Sequence, residues 1–401
     1  MAFKFKKYGN QMLRYIGGGH ENASKALSLK QVTDNETLDD FLNFPLDLYR
    51  NNPYYVPLLK NDERDTLLPE KNPAHEYCET AYFLVYRGEK VVGRIAGIIN
   101  HFSNEKWHQN RVRFGFVDFI DDDQVVDLLF NAVEDWGRAH GCKEIHGPLG
   151  FTDLDREGML IEGFDQLGTI TAIYNYPYYP VQMDRLGYLK DTDWQEYKIY
   201  PPKIVPDRHR RVGDVVRKRF GLTTVHFDKA SEIKRLYGNQ IFELINIAYS
   251  NLYGTTELTD KQIEYYVNMY MPMVNPDMIS IVVRETDRSL VGFGIALPSL
   301  SKALQKAWGN LLPFGIIYLL KALKSKKIDI MDLMLIAVHP DFQGKGVNAL
   351  IFEDLIPVAN QYQVKFVESN PELEDNMNVQ MQWNGFKRVH HKLRRCYVKA
   401  L

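Results

Sequence analysis

Residues Ile330 to Val338 form an apolar run interrupted only by Asp332. A cluster of chain breakers and small residues follows at once: His339-Pro340-Asp341-Phe342-Gln343-Gly344-Lys345-Gly346. Beyond it, Val347, Leu350, Ile351, Leu355 and Val358 recur at helical spacing. The pattern predicts a short buried strand, a tight loop and a helix, in that order. Such an order makes an anion cradle. Glycines let the backbone come close to a ligand, and the first amides of a helix, lacking internal partners, point at a phosphate. Lys345 adds a positive charge. The chemistry alone predicts a phosphate or pyrophosphate site.

The segment Val338-x-Pro340-x-x-Gln343-x-x-Gly346 resembles the acyl-CoA loop of the GNAT superfamily of N-acetyltransferases, whose pattern is Gln/Arg-x-x-Gly-x-Gly/Ala. Asn348 stands where the family has its last small residue. Asn384-Gly385-Phe386 resembles the family's later Gly-Phe turn. The resemblance implies acetyl-CoA or another acyl-CoA as co-substrate. Backbone groups of Leu335, Ile336, Ala337 and Val338 would meet its pantetheine arm. Gln343, Gly344, Lys345, Gly346, Val347 and Asn348 would meet its pyrophosphate, with Asn376 as a further contact. A bulky acidic residue at Gly346 is expected to block binding without unfolding the protein.

The same resemblance implies an acid and a base. Asp332, six residues before Val338, occupies the strand position at which some members carry a glutamate base. Burial there would raise its pKa toward neutrality. Glu368, at the end of the next strand, is the second candidate. The family's acid is a tyrosine four residues before the glycine of the Gly-Phe turn. That position is Met381, which cannot donate a proton, so either another group such as Tyr397 supplies it, or the thiolate leaves unassisted, or the chain is no longer an active transferase. Glu374 stands where the family has an asparagine eleven residues before that glycine, and Asn376 is near but out of register.

A chain of 401 residues suggests two or three domains. The order of strands and helices repeats, which implies an α/β (α+β) chain of two tandem GNAT-like domains, each a mixed central sheet flanked by helices. The expected divisions are a leader at 1–26, a degenerate GNAT-like domain at 27–200, and a linker and basic segment at 201–220. The acyl-CoA-binding domain follows at 221–401, with an apolar insertion near 299–327. The first copy is degenerate because Asp121-Asp122-Asp123 stands where its phosphate loop should be. Three carboxylates suit a helix N-terminus but repel a pyrophosphate. The basic run Arg208-His209-Arg210-Arg211, with Arg217-Lys218-Arg219, reads as a solvated helix face that could also help to bind phosphate. The tyrosines between Tyr174 and Tyr179 suggest packing under an interface or the lining of a cleft. Val389 to Val398 reads as a last hairpin or strand pair. The run Leu311 to Leu320, with lysines on both sides, is too short to span a bilayer. It reads as a buried helix, a lid over an acyl chain, or an interfacial helix with basic flanks.

A formal charge of −2 gives no general attraction to nucleic acid. Cys78, Cys142 and Cys396 lack metal-type spacing and read as reduced thiols of a cytoplasmic protein. His390 and His391 read as surface, His140 and His146 as isolated, and no metal site is expected. The expected activity is transfer of an acyl group, acetyl first, to an amine of a small molecule or peptide. The alternatives are a non-catalytic CoA- or ligand-binding protein and a longer-chain acyltransferase.

Overall fold

The computed structural model describes residues 26–401, so the expected leader lies, apart from Ala26, outside the described residues. The first half begins with β1 (Leu27–Gln31), α1 (Asn35–Leu48), α2 (Lys60–Leu67), β2 (Cys78–Arg87), β3 (Lys90–Asn100) and α3 (His101–Lys106). It continues with β4 (Arg111–Phe119), α4 (Asp123–Ala139), β5 (Glu144–Gly147), β6 (Met159–Glu162), α5 (Tyr178–Arg185) and β7 (Leu189–Tyr200). The second half opens with α6 (Asp207–Phe220), β8 (Leu222–Val225), α7 (Ala230–Ala248), α8 (Asp260–Tyr270), β9 (Ile279–Arg284) and β10 (Leu290–Pro298). Then come α9 (Ser301–Ala307), α10 (Gly315–Leu323), β11 (Ile330–Val338) and α11 (Asn348–Gln361). The chain closes with β12 (Phe366–Glu368), β13 (Glu372–Leu373), α12 (Met377–Gln382) and β14 (Lys387–Ala400).

Local chemistry accounts for the main helices. Asp34 and Thr37 form a capping box at the start of α1. Asp122 caps α4 by accepting from the amides of Gln124 and Val125, and Val125, Leu129 and Val133 bury its apolar stripe. The acidic triplet is thereby tied up. Asp122 pairs with Arg87, and Asp123 accepts from Gln182.

The two expected sheets are one. A single fourteen-stranded sheet runs β1-β2-β3-β4-β5-β14-β7-β12-β11-β10-β9-β8, with β6 and β13 pairing at its side. Only β4 with β5 and β11 with β12 pair in parallel. Each half gives its last strand to the middle, where β14 lies between β5 and β7, and β7 lies between β14 and β12. The expected closing hairpin is instead one strand of 14 residues. Its sequence contains no Gly, Pro, Asn or Asp to turn the chain.

Buried ions bind this seam. Glu196 on β7 is fully buried, and Lys392 and Arg394 on β14 are each 1% exposed. Lys392 Nζ lies 2.8 Å from Glu196 Oε2, and Arg394 Nε donates to Glu196 Oε1. Burial pushes the Glu196 carboxyl up, but Arg394 and Lys392 outweigh it and hold the group down at about 2. Removing one partner of such a pair costs about 3–5 kcal/mol, because a buried charge is left alone.

The segment expected as linker and basic run carries α6, which packs Val212 and Val216 into the second core and pairs Arg217 with Glu353. The insertion folds as α9 and α10 and reaches the first half. Leu300 and Leu304 pack on Val56, the Trp308 ring meets Tyr55, and Gln305 donates to the carbonyls of Pro53 and Tyr55. A wholly buried insertion is therefore not found, since α9 is covered whereas Leu312, Phe314 and Ile317 around α10 are 72%, 65% and 56% exposed. Tyr174, Tyr176, Tyr178 and Tyr179 stack among themselves and with Tyr49 and Tyr55, beneath the insertion. They are packing residues. No helix among the described residues is long and apolar enough to cross a membrane.

Because β14 fills the gap between β5 and β7, the halves are expected to unfold together. A fragment of residues 26–206 lacks β14 and should show no cooperative thermal transition by circular dichroism, whereas the whole chain should show a single one. A sharp, reversible transition in the fragment would overturn this account.

Candidate active site

Both halves contain a point where a parallel strand pair stops pairing, and the two points differ. In the first half, β4 and β5 pair from Arg111–Glu144 only as far as Arg113–His146. The chain itself then takes the free edge of β4. Leu149 donates its amide to the Phe114 carbonyl at 2.9 Å, and Arg113 reaches the carbonyl of Gly150 at 3.0 Å. A Cβ on Gly115 would stand 2.2 Å from the Leu149 carbonyl oxygen, so Gly115 is needed for this close approach.

In the second half, β11 and β12 pair from Ile330–Phe366 only as far as Asp332–Glu368. Beyond that point no strand among the described residues covers this edge of β11. Side chains meet it instead. The Tyr249 hydroxyl donates to the Ile336 carbonyl at 2.9 Å, and the Asn370 amide donates to the Met334 carbonyl. The Thr171 hydroxyl of the first half in turn donates to Asn370 Oδ1 at 3.0 Å. A register shift of β11 against β10 beside Ile295 and Ala296 adds a bulge next to this edge. Ala337 and Val338 point their side chains into the two cores, while Leu335 and Ile336 are half-buried.

The loop from Gln343 to Asn348 follows β11 directly. Gln343 donates its side-chain amide to the Val338 carbonyl at 3.0 Å and so closes the turn. Gly344 and Gly346 both take positive φ, 69° and 87°. Among the described residues, the amides of Gly344, Gly346, Val347 and Asn348 have no acceptor. Four orphan donors at a helix N-terminus suit a pyrophosphate. Lys345 is exposed and lies over the rings of Phe220 and Phe342. Asn348 donates to Gln382 Oε1 at 3.1 Å, which ties the loop to α12. Asn376 caps α12 through Val379 N, so its side-chain oxygen already has a partner.

The structure corrects the expectation for Gly346. A Cβ there would stand 2.6 Å from Val212 Cγ1 of α6, whereas at Gly344 a Cβ meets nothing within 4 Å. Gly346 serves the packing of α6 as well as the loop, so a bulky residue at that position would disturb both.

Asp332 and Glu368 are cross-strand neighbours on one face. Asp332 is 3% exposed, and neither of its carboxylate oxygens makes a hydrogen bond within the protein. Burial, then the Glu368 charge, pushes its carboxyl up to about 7, more than the nearby Ser299 hydroxyl and Lys392 pull it down. Glu368 receives Lys392 Nζ at 2.7 Å. His391 Nε2 lies 2.6 Å from the same Glu368 oxygen, with its side chain 5% exposed. His391 is therefore not a surface residue, because the register shift between His390 and Lys392 turns it inward. The row Asp332, Glu368, Glu196 holds three carboxyls against Lys392 and Arg394. The surplus charge is relieved by keeping a proton on Asp332 near neutrality. Arg394 also donates to the carbonyls of Gly158 and Ile173, which joins this floor to the first half. There Glu157 has one buried, unpartnered carboxylate oxygen.

Other expectations move. Tyr397 sits on β14 opposite Gly147 and packs in the first core, so it is not the proton donor. Met381 is exposed on α12. His146 is not isolated, since its Nδ1 lies 3.2 Å from the Tyr253 hydroxyl and 3.7 Å from Asp191. Asp191 already holds Arg111 and Tyr253, and Glu196 and Glu368 hold Lys392, so these donors are committed to cations and hydrogen bonds.

Comparison with solved structures settles the architecture. A tandem GNAT protein from the clavulanic acid biosynthesis pathway superposes with a TM-score of 0.52 at 14% identity, covering 94% of this chain and 98% of that one. The chain has a tandem GNAT-like fold. No protein-family model matches it. Two curated proteins align along nearly the whole of this GNAT-like chain. The protein YghO of Escherichia coli (strain K12) is 26% identical over 374 residues, 91% of this chain and 93% of its own. The bacterial ceramide synthase of Caulobacter vibrioides (strain NA1000 / CB15N) is 26% identical over 395 residues, 95% of this chain and 99% of its own.

Two variants test this geometry by thermal unfolding. Asp332 holds its proton up to about pH 7 when folded, against a usual value of 3.8. Its protonation therefore favours the folded state fully below 3.8, and that contribution is lost as pH rises through 7. Asp332→Asn should gain Tm relative to the parent at pH 8 and not at pH 4, with a ceiling of about 4 kcal/mol. An equal effect at both pH values would reject the buried, protonated state. Gly346→Ala should cost about 1–3 kcal/mol through the α6 contact and lose more than Gly344→Ala, whose cost is only that of a left-handed residue, about 1–2 kcal/mol.

Proposed function

We propose that the protein is an acyl-CoA-dependent N-acyltransferase that joins a long acyl chain to the amine of a lipid-like acceptor. The observation that carries this reading is the edge of β11, uncovered by any strand beyond Asp332, leading straight into a loop with four orphan amides. The residues present fit an acyl-CoA. The amides of Gly344 to Asn348 and the charge of Lys345 would hold the pyrophosphate, and the backbone of Leu335 to Val338 would hold the pantetheine. The co-substrate supplies the thioester.

The protein supplies orientation and protons. Asp332, with two free oxygens and a pKa about 7, takes the proton of the attacking amine, directly or through a water. Burial, then the Glu368 charge, keeps that pKa near the working pH. The Tyr249 hydroxyl, bonded to the Ile336 carbonyl, is the donor to the departing sulfur in place of the missing family tyrosine. It recovers its proton from solvent, so the net transfer is from amine to thiol. Asn370 and Thr171 couple the β11 edge to the first half, which would form the acceptor side of the cleft through Glu157.

Long-chain transfer is favoured over acetyl transfer by one point. A ceramide is an amide between a fatty acid and a long-chain amino alcohol, and the ceramide synthase aligns with almost the whole chain. The three cysteines are free and buried, which suits a reducing compartment and hence the cytoplasm.

Isothermal titration with CoA, acetyl-CoA and palmitoyl-CoA is the first test. Palmitoyl-CoA should bind more tightly than acetyl-CoA, and Gly344→Asp should weaken all three by at least about tenfold through its misplaced charge. With sphinganine as the amine, Tyr249→Phe and Asp332→Asn should each lower kcat by about 10²–10⁴-fold with little change in KM for the acyl-CoA. Failure of all three ligands to bind would reject the site. Binding without turnover of any amine would favour a CoA-sensing protein instead.

A further inference from the structure

The α9–α10 insertion leaves one surface that the acyl-transfer site does not use. Helix α10 is two-faced. Leu319, Ala322 and Leu323 pack inward against Val56, Leu59, Leu300 and Leu304. On the other side and at the preceding turn, Leu312, Phe314, Ile316, Ile317, Tyr318 and Leu320 are all exposed, from 37% to 72%. Six large apolar side chains within nine residues stand in water, whereas most other exposed apolar residues of the chain are scattered singly.

The charge around this patch is of one sign. Lysines 302, 306, 321, 324, 326 and 327 are all exposed, and no Asp or Glu occurs from Ser299 to Ile328. The whole chain carries −2, so the remainder is net acidic and this segment is a concentrated basic exception. None of the six lysines forms an ion pair among the described residues. The nearest acid in sequence, Asp329, is taken by Lys365 at 3.0 Å. Lys306 lies over the Tyr318 ring, 5.8 Å from its centre, so charge and apolar surface are contiguous.

We propose that this hairpin docks on a membrane surface containing anionic lipid, with the apolar tip at the level of the upper acyl chains and the lysines among the headgroups. The chemistry selects this occupant. A tip of aliphatic and aromatic side chains flanked by long basic ones matches the interfacial layer, where lysine stems lie on apolar surface and their heads reach phosphate. A second copy of the chain is disfavoured, because a two-fold contact would bring two unpaired lysine sets face to face. The helix is far too short to span, so binding is peripheral and reversible. The inference is independent of the acyl-transfer reading. If both hold, docking brings a bilayer to the insertion that flanks Asp332, from which an acceptor amine or acyl-CoA would be drawn.

Flotation of the full chain with large unilamellar vesicles tests it without any enzyme assay. The protein should float with vesicles of phosphatidylcholine and phosphatidylglycerol at 7:3, float far less with phosphatidylcholine alone, and be released by 0.5 M NaCl. Ile317→Ser with Leu320→Ser should lower partition at least about tenfold while leaving Tm and CoA affinity unchanged, since both residues face water. Lys321, Lys324, Lys326 and Lys327 changed together to Gln should abolish the preference for anionic vesicles. Absence of binding to either vesicle, or binding indifferent to both variants, would overturn the proposal. So would a concentration-dependent dimer in sedimentation velocity that the serine variant disperses, because the tip would then belong to a second copy.

Discussion

Two long strands, β7 and β14, meet at the centre of the sheet, and the ions between them set the terms for everything on either side. Among the described residues, the Glu196 carboxylate is held by Lys392 and Arg394, and Lys392 in turn reaches Glu368 beside Asp332. A charge buried this deeply is tolerable only with its partners in place. The same row of side chains therefore fixes the register of the exchanged strands and, by burying Asp332 and setting the Glu368 charge beside it, favours a proton on Asp332.

The two halves repeat an order of elements yet use it differently. The first half has its parallel strand pair closed by Leu149 and its helix N-terminus occupied by Asp122. The second has an uncovered strand edge and unoccupied amides. The joined sheet then brings the first half against the floor and edge of β11, through Thr171 to Asn370 and through Arg394 to the carbonyls of Gly158 and Ile173. In the proposed reaction the first half would serve as a wall for the site of the second.

Much of this was legible in the sequence where the signal is local. The strand, loop and helix from Ile330 to Gln361 follow from an apolar run, two glycines and helical spacing. The family resemblance points to Asp332 and the end of the next strand to Glu368, and the parallel pairing of β11 with β12 makes them neighbours. The exchange of β7 and β14 was not legible, because alternation along a strand says which face is buried but not which neighbour it takes. Tyr249 was hidden for a similar reason, standing at the C-terminal end of α7 more than eighty residues before the carbonyl it meets. His391 was misread because a single register shift reverses a side chain. Gly346 looked like a ligand-facing glycine, and only the placement of α6 reveals its second duty.

The segment at Leu149 can be seen as a tethered ligand. It occupies the free edge of β4 with the backbone hydrogen bond that a bound molecule would otherwise make. A covalent tether gives it an effective concentration no free metabolite reaches, so that site is saturated at all times. Its share of the stability of the sheet is therefore constant. If the second half binds an acyl-CoA as proposed, it adds stability in proportion to the dissolved ligand, and since the halves share their central strands, the whole molecule would stiffen or loosen with the supply of that one compound.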